Sequence, residues 1–166
     1  MLKASELKGR AVVALSDGAT LGYVDDVLFD ASYRRVLGVR VKKGMLGHGM
    51  VVPRAVVVTV RPEAVTVPGP DTLITDDQGA EAAAAVTLSQ TRGTKVVSKG
   101  GARVGTIMNI EMDDQAHVVT GYHLSVPGRH HLGRQERLMG AGQVLRVGEG
   151  GVMIVPNAVG QALHAS

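Results

Sequence analysis

Gly18-Ala-Thr-Leu-Gly22-Tyr-Val24-Asp-Asp-Val27-Leu-Phe29-Asp30 and Gly101-Ala-Arg-Val-Gly105-Thr-Ile107-Met-Asn-Ile110-Glu-Met112-Asp113 are two versions of one pattern, set 83 residues apart from Gly22 to Gly105 and from Asp30 to Asp113. Matches at a fixed offset are the mark of an internal duplication. At the same offset Val36, Gly38, Val39 and Val41 meet Val119, Gly121, Tyr122 and Leu124. Farther on, Val51, Val58, Val65 and Val67 meet Leu138, Leu145, Val152 and Ile154 at an offset of 87, so copy two carries about four extra residues in a loop.

Each copy reads as strands. Ala11 to Ser16 is an apolar run ended by Asp17-Gly18, a hairpin turn signal; copy two has Gly100-Gly101 there. Val24, Val27 and Phe29 are spaced three and then two, as are Ile107, Ile110 and Met112. A strand has period two, so the shared break implies a β-bulge that curls the sheet. After polar turns from Asp30 and from Asp113, the third strand alternates, with Leu37, Val39 and Val41 on one face and Gly38, Arg40 and Lys42 on the other. Short strands near Met50 to Pro53, Val56 to Val60 and Ala64 to Val67 complete copy one. About six short strands in about 70 Gly-rich residues suggest a small, partly closed barrel.

Between the copies, Pro68-Gly-Pro70-Asp and the alanine run ending at Ala85 read as a linker, with a helical turn or two expected at 78–86. The expected organisation is a first domain at 1–70, a linker at 71–86, a second domain at 87–160 and a tail at 161–166. With 166 residues and only 2% aromatics the two cores must be small and β-branched. Met108, Met112, Met139 and Met153 are expected to fill the core of copy two. Two such barrels are expected to pack as a pseudo-twofold pair.

The Gly-x-x-x-Gly-x-Val-x-x-Val pattern at Gly18 to Val27 and Gly101 to Ile110, with the following hydrophobic strand and Val51-Val52-Pro53, resembles the PRC-barrel family. That family is named for the H subunit of the photosynthetic reaction centre and recurs at the C-terminus of a ribosome-maturation factor. Copy two departs from the pattern at Leu138-Met139-Gly140, where the proline is missing. The resemblance implies an all-β fold of two tandem small, partly closed β-barrels, a docking role toward another protein, and no catalytic residues to carry over.

The loop after the third strand is basic and Gly-rich in both copies. It carries Lys42, Lys43, Leu46 and His48, reaching Arg54, in copy one, and Arg129, His130, His131, Leu132, Arg134 and Arg137 in copy two. These are the candidate partner-binding residues: like-charged loops could grip an acidic or phosphate-rich partner, and Leu46 and Leu132 could anchor it. The plain alternative is a hairpin tip kept soluble by cations, and it carries the greater weight. The net charge is only +3, and Tyr23, Phe29, Tyr33 and Tyr122 are too few and scattered to stack bases.

His130 and His131 with His117 and His123 invite a metal reading, but no ligand spacing recurs and cysteine is absent. Asp25, Asp26 and Asp30, like Glu111, Asp113 and Asp114, suit turns better than acid–base work, and no nucleophile or phosphate-loop motif is present. No apolar run nears the ~20 residues that cross a bilayer, and the N-terminus lacks an unbroken apolar stretch. We therefore expect a cytoplasmic, non-catalytic adaptor or assembly module without cofactor, metal or membrane insertion, whose partner is another protein or a second copy of itself. A ribosome-associated binder of phosphate or RNA backbone is the second expectation; a metal protein or enzyme comes last.

Overall fold

The bulge expected from the 3-then-2 spacing shapes both sheets. Val24 pairs with Val41 and Asp26 with Arg40, leaving Asp25 over; Ile107 pairs with Leu124 and Asn109 with His123, leaving Met108 over. Val24, Val27 and Phe29, and Ile107, Ile110 and Met112, all point into the core as a result. The second glycine of the pattern is needed just before the bulge. A Cβ on Gly22 would lie 2.7 Å from Val41 Cγ1, and one on Gly105 2.6 Å from Ser125 O.

The computed structural model describes residues 1–43, 49–75, 85–128 and 133–164. The first half runs β1 (Leu2–Lys3), α1 (Ala4–Leu7), β2 (Ala11–Ala14), β3 (Thr20–Phe29), β4 (Val36–Lys42), β5 (Met50–Pro53), β6 (Thr59–Val60), β7 (Ala64–Val67) and β8 (Ile74–Thr75). The second runs β9 (Val86–Thr87), α2 (Leu88–Thr91), β10 (Lys95–Ser98), β11 (Arg103–Met112), β12 (Val119–Pro127), β13 (Arg134–Gly140), β14 (Arg146–Val147), β15 (Met153–Val155) and α3 (Asn157–His164). The expected linker region thus holds β8 and the first residue of β9, and the expected tail begins inside α3. Residues 78–84 of the expected helical turns lie outside the described residues.

The protein is mostly β, in two sheets of matching strand order: β6-β7-β2-β3-β4-β5-β8 and β14-β15-β10-β11-β12-β13. In each, the first long strand pairs in parallel with the last, β2 with β7 and β10 with β15, and antiparallel with its hairpin neighbour. Among the described residues neither sheet joins its outermost strands, so neither is a closed barrel.

Several details correct the sequence reading. In the third strand Val36, not Leu37, takes the inward place beside Val39 and Val41, because a second irregularity between Leu28 and Phe29 shifts the register. The expected strand at Val56 to Val60 is a 3-10 turn at Arg54–Val56 followed by only two strand residues. Val65 and Val67 correspond to Met153 and Val155, one residue beyond the expected match. Val12 pairs with Val65 and Val96 with Met153, and the turn containing Gly150 and Gly151 absorbs the extra residue. Without its proline, β13 still forms, over seven residues. Met112, Met139 and Met153 are buried, whereas Met108, the bulged residue, is exposed.

Each half lends its first strand to the other. β1 pairs with β11, Leu2 opposite Met112, and β9 pairs with β3, Val86 opposite Phe29. Each occupies the edge of the long strand beyond the hairpin partner. The short helices follow them across. Asp26 Oδ1 accepts from Val27 N (2.8 Å) and Ser89 N (3.4 Å); its counterpart Asn109 accepts at Oδ1 from Ile110 N (3.0 Å) and Ser5 N (3.3 Å). Leu7 and Leu88 are buried, so each exchange is held by apolar surface worth about 1.5–3 kcal/mol per side chain.

A pseudo-twofold axis relates the halves. Val36 N donates to His117 O and Val119 N to Arg34 O, both at 2.9 Å, around an antiparallel bridge between Arg35 and Val118. Arg35 meets its own equivalent 83 positions away, and the two flanking bonds interchange under the axis, Val36 with Val119 and His117 with Arg34, the signature of an isologous contact. One continuous core joins both sheets.

Candidate binding edge and basic strands

β4 and β12 begin at the axis and run away from it in opposite directions, so their last residues, Lys42 and Pro127, lie on opposite sides of it. Leu46, His48, Arg129, His130, His131 and Leu132 lie outside the described residues. Lys42 and Lys43 are exposed at the far end of β4, with Lys42 opposite the exposed Tyr23. Arg134 opens β13; its guanidinium donates to Ser125 O (2.8 Å) and to the Ser125 hydroxyl. Arg137 is half-buried and donates to Gln135 Oε1 and Glu136 O.

Arg54 sits elsewhere. It is half-buried beside the axis and bonded to Gln115 O and Ala116 O of the other half. Burial lowers its pKa from the ordinary value, with Asp113 acting against that shift.

The edges of the two sheets differ. β5 is covered by β8, with Met50 opposite Thr75 and Val51 opposite Ile74. Its counterpart β13 ends its sheet, and among the described residues no strand pairs with its outer side. That edge is seven residues long, Arg-Gln-Glu-Arg-Leu-Met-Gly, with Leu138 54% exposed. An unpaired row of backbone donors and acceptors is a ready template for another chain, and charged residues along it limit indiscriminate pairing.

A polar row crosses the outer face of the same sheet. His123 Nδ1 lies 2.9 Å from Glu136 Oε1 and its Nε2 3.1 Å from Glu111 Oε2, and Lys3 Nζ stands 4.0 Å from Glu136. With a carboxylate on each ring nitrogen, the imidazole ties β11, β12 and β13 together and has no nitrogen left for a metal or substrate. His117 lies six residues earlier, in the axial turn, 3.5 Å from Asp113. Asp26, Asp30 and Asp113 hold backbone N–H groups.

Residues 1–77 match the model of the PRC-barrel domain. The first half is a PRC-barrel domain. The match stops short of the second half, whose PRC-like strand order comes from the structure. No curated protein matches the chain. Among solved structures it is similar to a 16S ribosomal RNA processing protein, RimM, of Pseudomonas aeruginosa: 14% identity over 90% of this chain and 95% of that one, TM-score 0.31. That score is too low for the likeness to bear on function. Among the described residues no helix is long and apolar enough to cross a membrane.

Sequence reasoning found the arginines of this PRC-like edge but not the edge itself. Its signal was negative: copy two has no proline where copy one has Pro53.

Proposed function

We propose that the protein is a non-catalytic adaptor, cytoplasmic and built for assembly, that holds an extended acidic segment of a partner protein along the outer side of β13. The observation that carries this reading is the contrast between β5, whose Met50 and Val51 pair with β8, and the seven-residue β13, whose outer side pairs with no strand among the described residues. Arg134 and Arg137 lie on that strand and Arg129, His130 and His131 precede it in sequence, so the strand and its loop carry an excess of basic groups. Strand addition supplies affinity through main-chain hydrogen bonds, and the cations select for acid. The absence of cysteine accords with a reducing compartment.

The test is hydrogen exchange on the full chain with a partner captured from its native cells by cross-linking. The β13 amides should slow on binding, and Arg134→Glu with Arg137→Glu should weaken capture about tenfold or more. Unchanged β13 amides would overturn the reading. So would capture of RNA in place of protein, with affinity falling steeply as salt rises, the behaviour of a ribosome-associated phosphate binder. If the captured partner is a second copy of this chain, light scattering should show a dimer that the Arg→Glu pair dissolves.

A further inference from the structure

The pseudo-twofold axis creates two junctions between the halves, and one of them is filled. There, Arg54 Nε donates to Gln115 O (3.0 Å) and Ala116 O (3.1 Å), and its Nη1 to Val57 O (3.1 Å). Gln115 completes the stitch: its Nε2 donates to Val60 O (3.1 Å), and its Oε1 accepts from Val60 N (2.9 Å). At the other junction the repeat places Ala141 for Arg54, Ser32 for Gln115 and Val147 for Val60. Neither Ala141 nor Ser32 is long enough to bridge. A cleft of ≈ 410 Å³ remains between the turn at 31–34 and the segment 141–147, within the size range of small-ligand sites.

The cleft is also charged differently from its filled twin. Arg34 and Arg146 line it where the repeat has His117 and Thr59. His117 is engaged with Asp113, and Thr59 with the Thr66 hydroxyl at 2.7 Å. Neither arginine side chain has an ion pair or hydrogen bond among the described residues. Asp30, at the start of the same turn as Arg34, already accepts from Arg34 N (2.7 Å), Arg35 N (3.1 Å) and the Ser32 hydroxyl (2.8 Å).

Val144 and Leu145 supply apolar wall. Tyr122 also lines the cleft, and its hydroxyl donates to Tyr33 O at 3.1 Å. Burial pushes that phenol up to about 12, with Arg34 pulling the other way, so it keeps its proton at neutral pH. Two guanidiniums lining one cleft give it a positive potential, and an oxyanion held by both gains charge-assisted hydrogen bonds.

We propose that this cleft binds a small organic anion, a carboxylate or phosphate monoester on a short apolar body, with Arg34 and Arg146 holding the oxyanion and Val144 and Leu145 the body. The site is separate from the β13 edge and stands or falls independently of it. The test is calorimetric titration of the full chain with octanoate and with phenyl phosphate, against octanol, phenol and inorganic phosphate.

At least one of the two organic anions should saturate with a Kd below about 1 mM. Its neutral counterpart and bare phosphate should bind about tenfold more weakly or not at all; the two arms show which oxyanion is preferred. Arg34→Gln and Arg146→Gln should each weaken binding about tenfold with an unchanged Tm, both side chains being exposed. Ser32→Gln with Ala141→Arg rebuilds the stitch of the other junction and should abolish binding while holding or raising Tm. The mirror pair Arg54→Ala with Gln115→Ser should open a cleft that binds neither anion. Failure of both anions to bind, or binding unchanged in the Ser32→Gln/Ala141→Arg protein, overturns the proposal.

Discussion

The two halves share a strand order and an exchange of first strands, yet they differ wherever the pseudo-twofold axis offers a choice. One junction is stitched by Arg54 and Gln115, and the other is left open by Ala141 and Ser32. One sheet edge is covered by β8 at Met50 and Val51, and the other, β13, has no strand on its outer side among the described residues. At the left-handed turn position the first half places buried Tyr33 (φ 57°) and the second buried Ala116 (φ 56°). The backbone is thus held to one plan by the bulges and the interlock, while side chains at matching places are free to build a support on one side and an opening on the other.

The strongest way to break the comparison is to separate its members. Residues 1–77 alone leave β1 without β11 and the edge of β3 without β9. We expect a homodimer that exchanges β1 across a true twofold, seen as a doubled mass in light scattering; a folded monomer would break the equivalence. Next, Leu7→Ala and Leu88→Ala should each cost about 2–5 kcal/mol in urea unfolding, because both leucines are buried in the exchanged helices. Unequal costs would show that one exchange carries more of the fold.

Acid sharpens the comparison further. Burial raises the pKa of Asp30, but hydrogen bonds from Arg35 N, Ser32 Oγ and Arg34 N outweigh it; Asp113 is lowered in the same way by Val118 N and His117 N. Both carboxyls end below the ordinary 3.8. A folded pKa that is depressed adds stability in full above the unfolded value, and that stability is lost as pH falls through the folded one. Asp30→Ala and Asp113→Ala should each cost about 1–2 kcal/mol at pH 7 and flatten the acid limb of the stability curve by similar amounts. The smallest effect belongs to Ala116→Gly, which relieves the left-handed backbone and should stabilise by about 0.5–1 kcal/mol in the same assay.

Much of this architecture was legible in the residues. The doubled glycine pattern gave the repeat, and the 3-then-2 spacing gave the bulge, because both are forced by close strand crossing and by period-two geometry. The exchange was not seen, since strands of two residues and helices of four carry no periodicity. Its signal was present all the same. Ser5-Glu-Leu-Lys-Gly9 and Ser89-Gln-Thr-Arg-Gly93 match at an offset of 84, extending the repeat toward the N-terminus. Arg54 was grouped with the basic loop because it follows that loop in sequence, whereas its place beside the axis depends on residues of the other half. The open junction was illegible for the same reason: a cleft made by two short side chains shows only when its filled twin is beside it.

The interlock is tested most directly with cysteine pairs, which the cysteine-free chain admits without interference. Lys3 lies opposite Glu111 of the other half, and a β1 folded onto its own half would instead meet Leu28, the repeat equivalent of Glu111. On mild oxidation, Lys3→Cys with Glu111→Cys should close an intramolecular disulfide, and Lys3→Cys with Leu28→Cys should not. The reverse result would contradict the exchange.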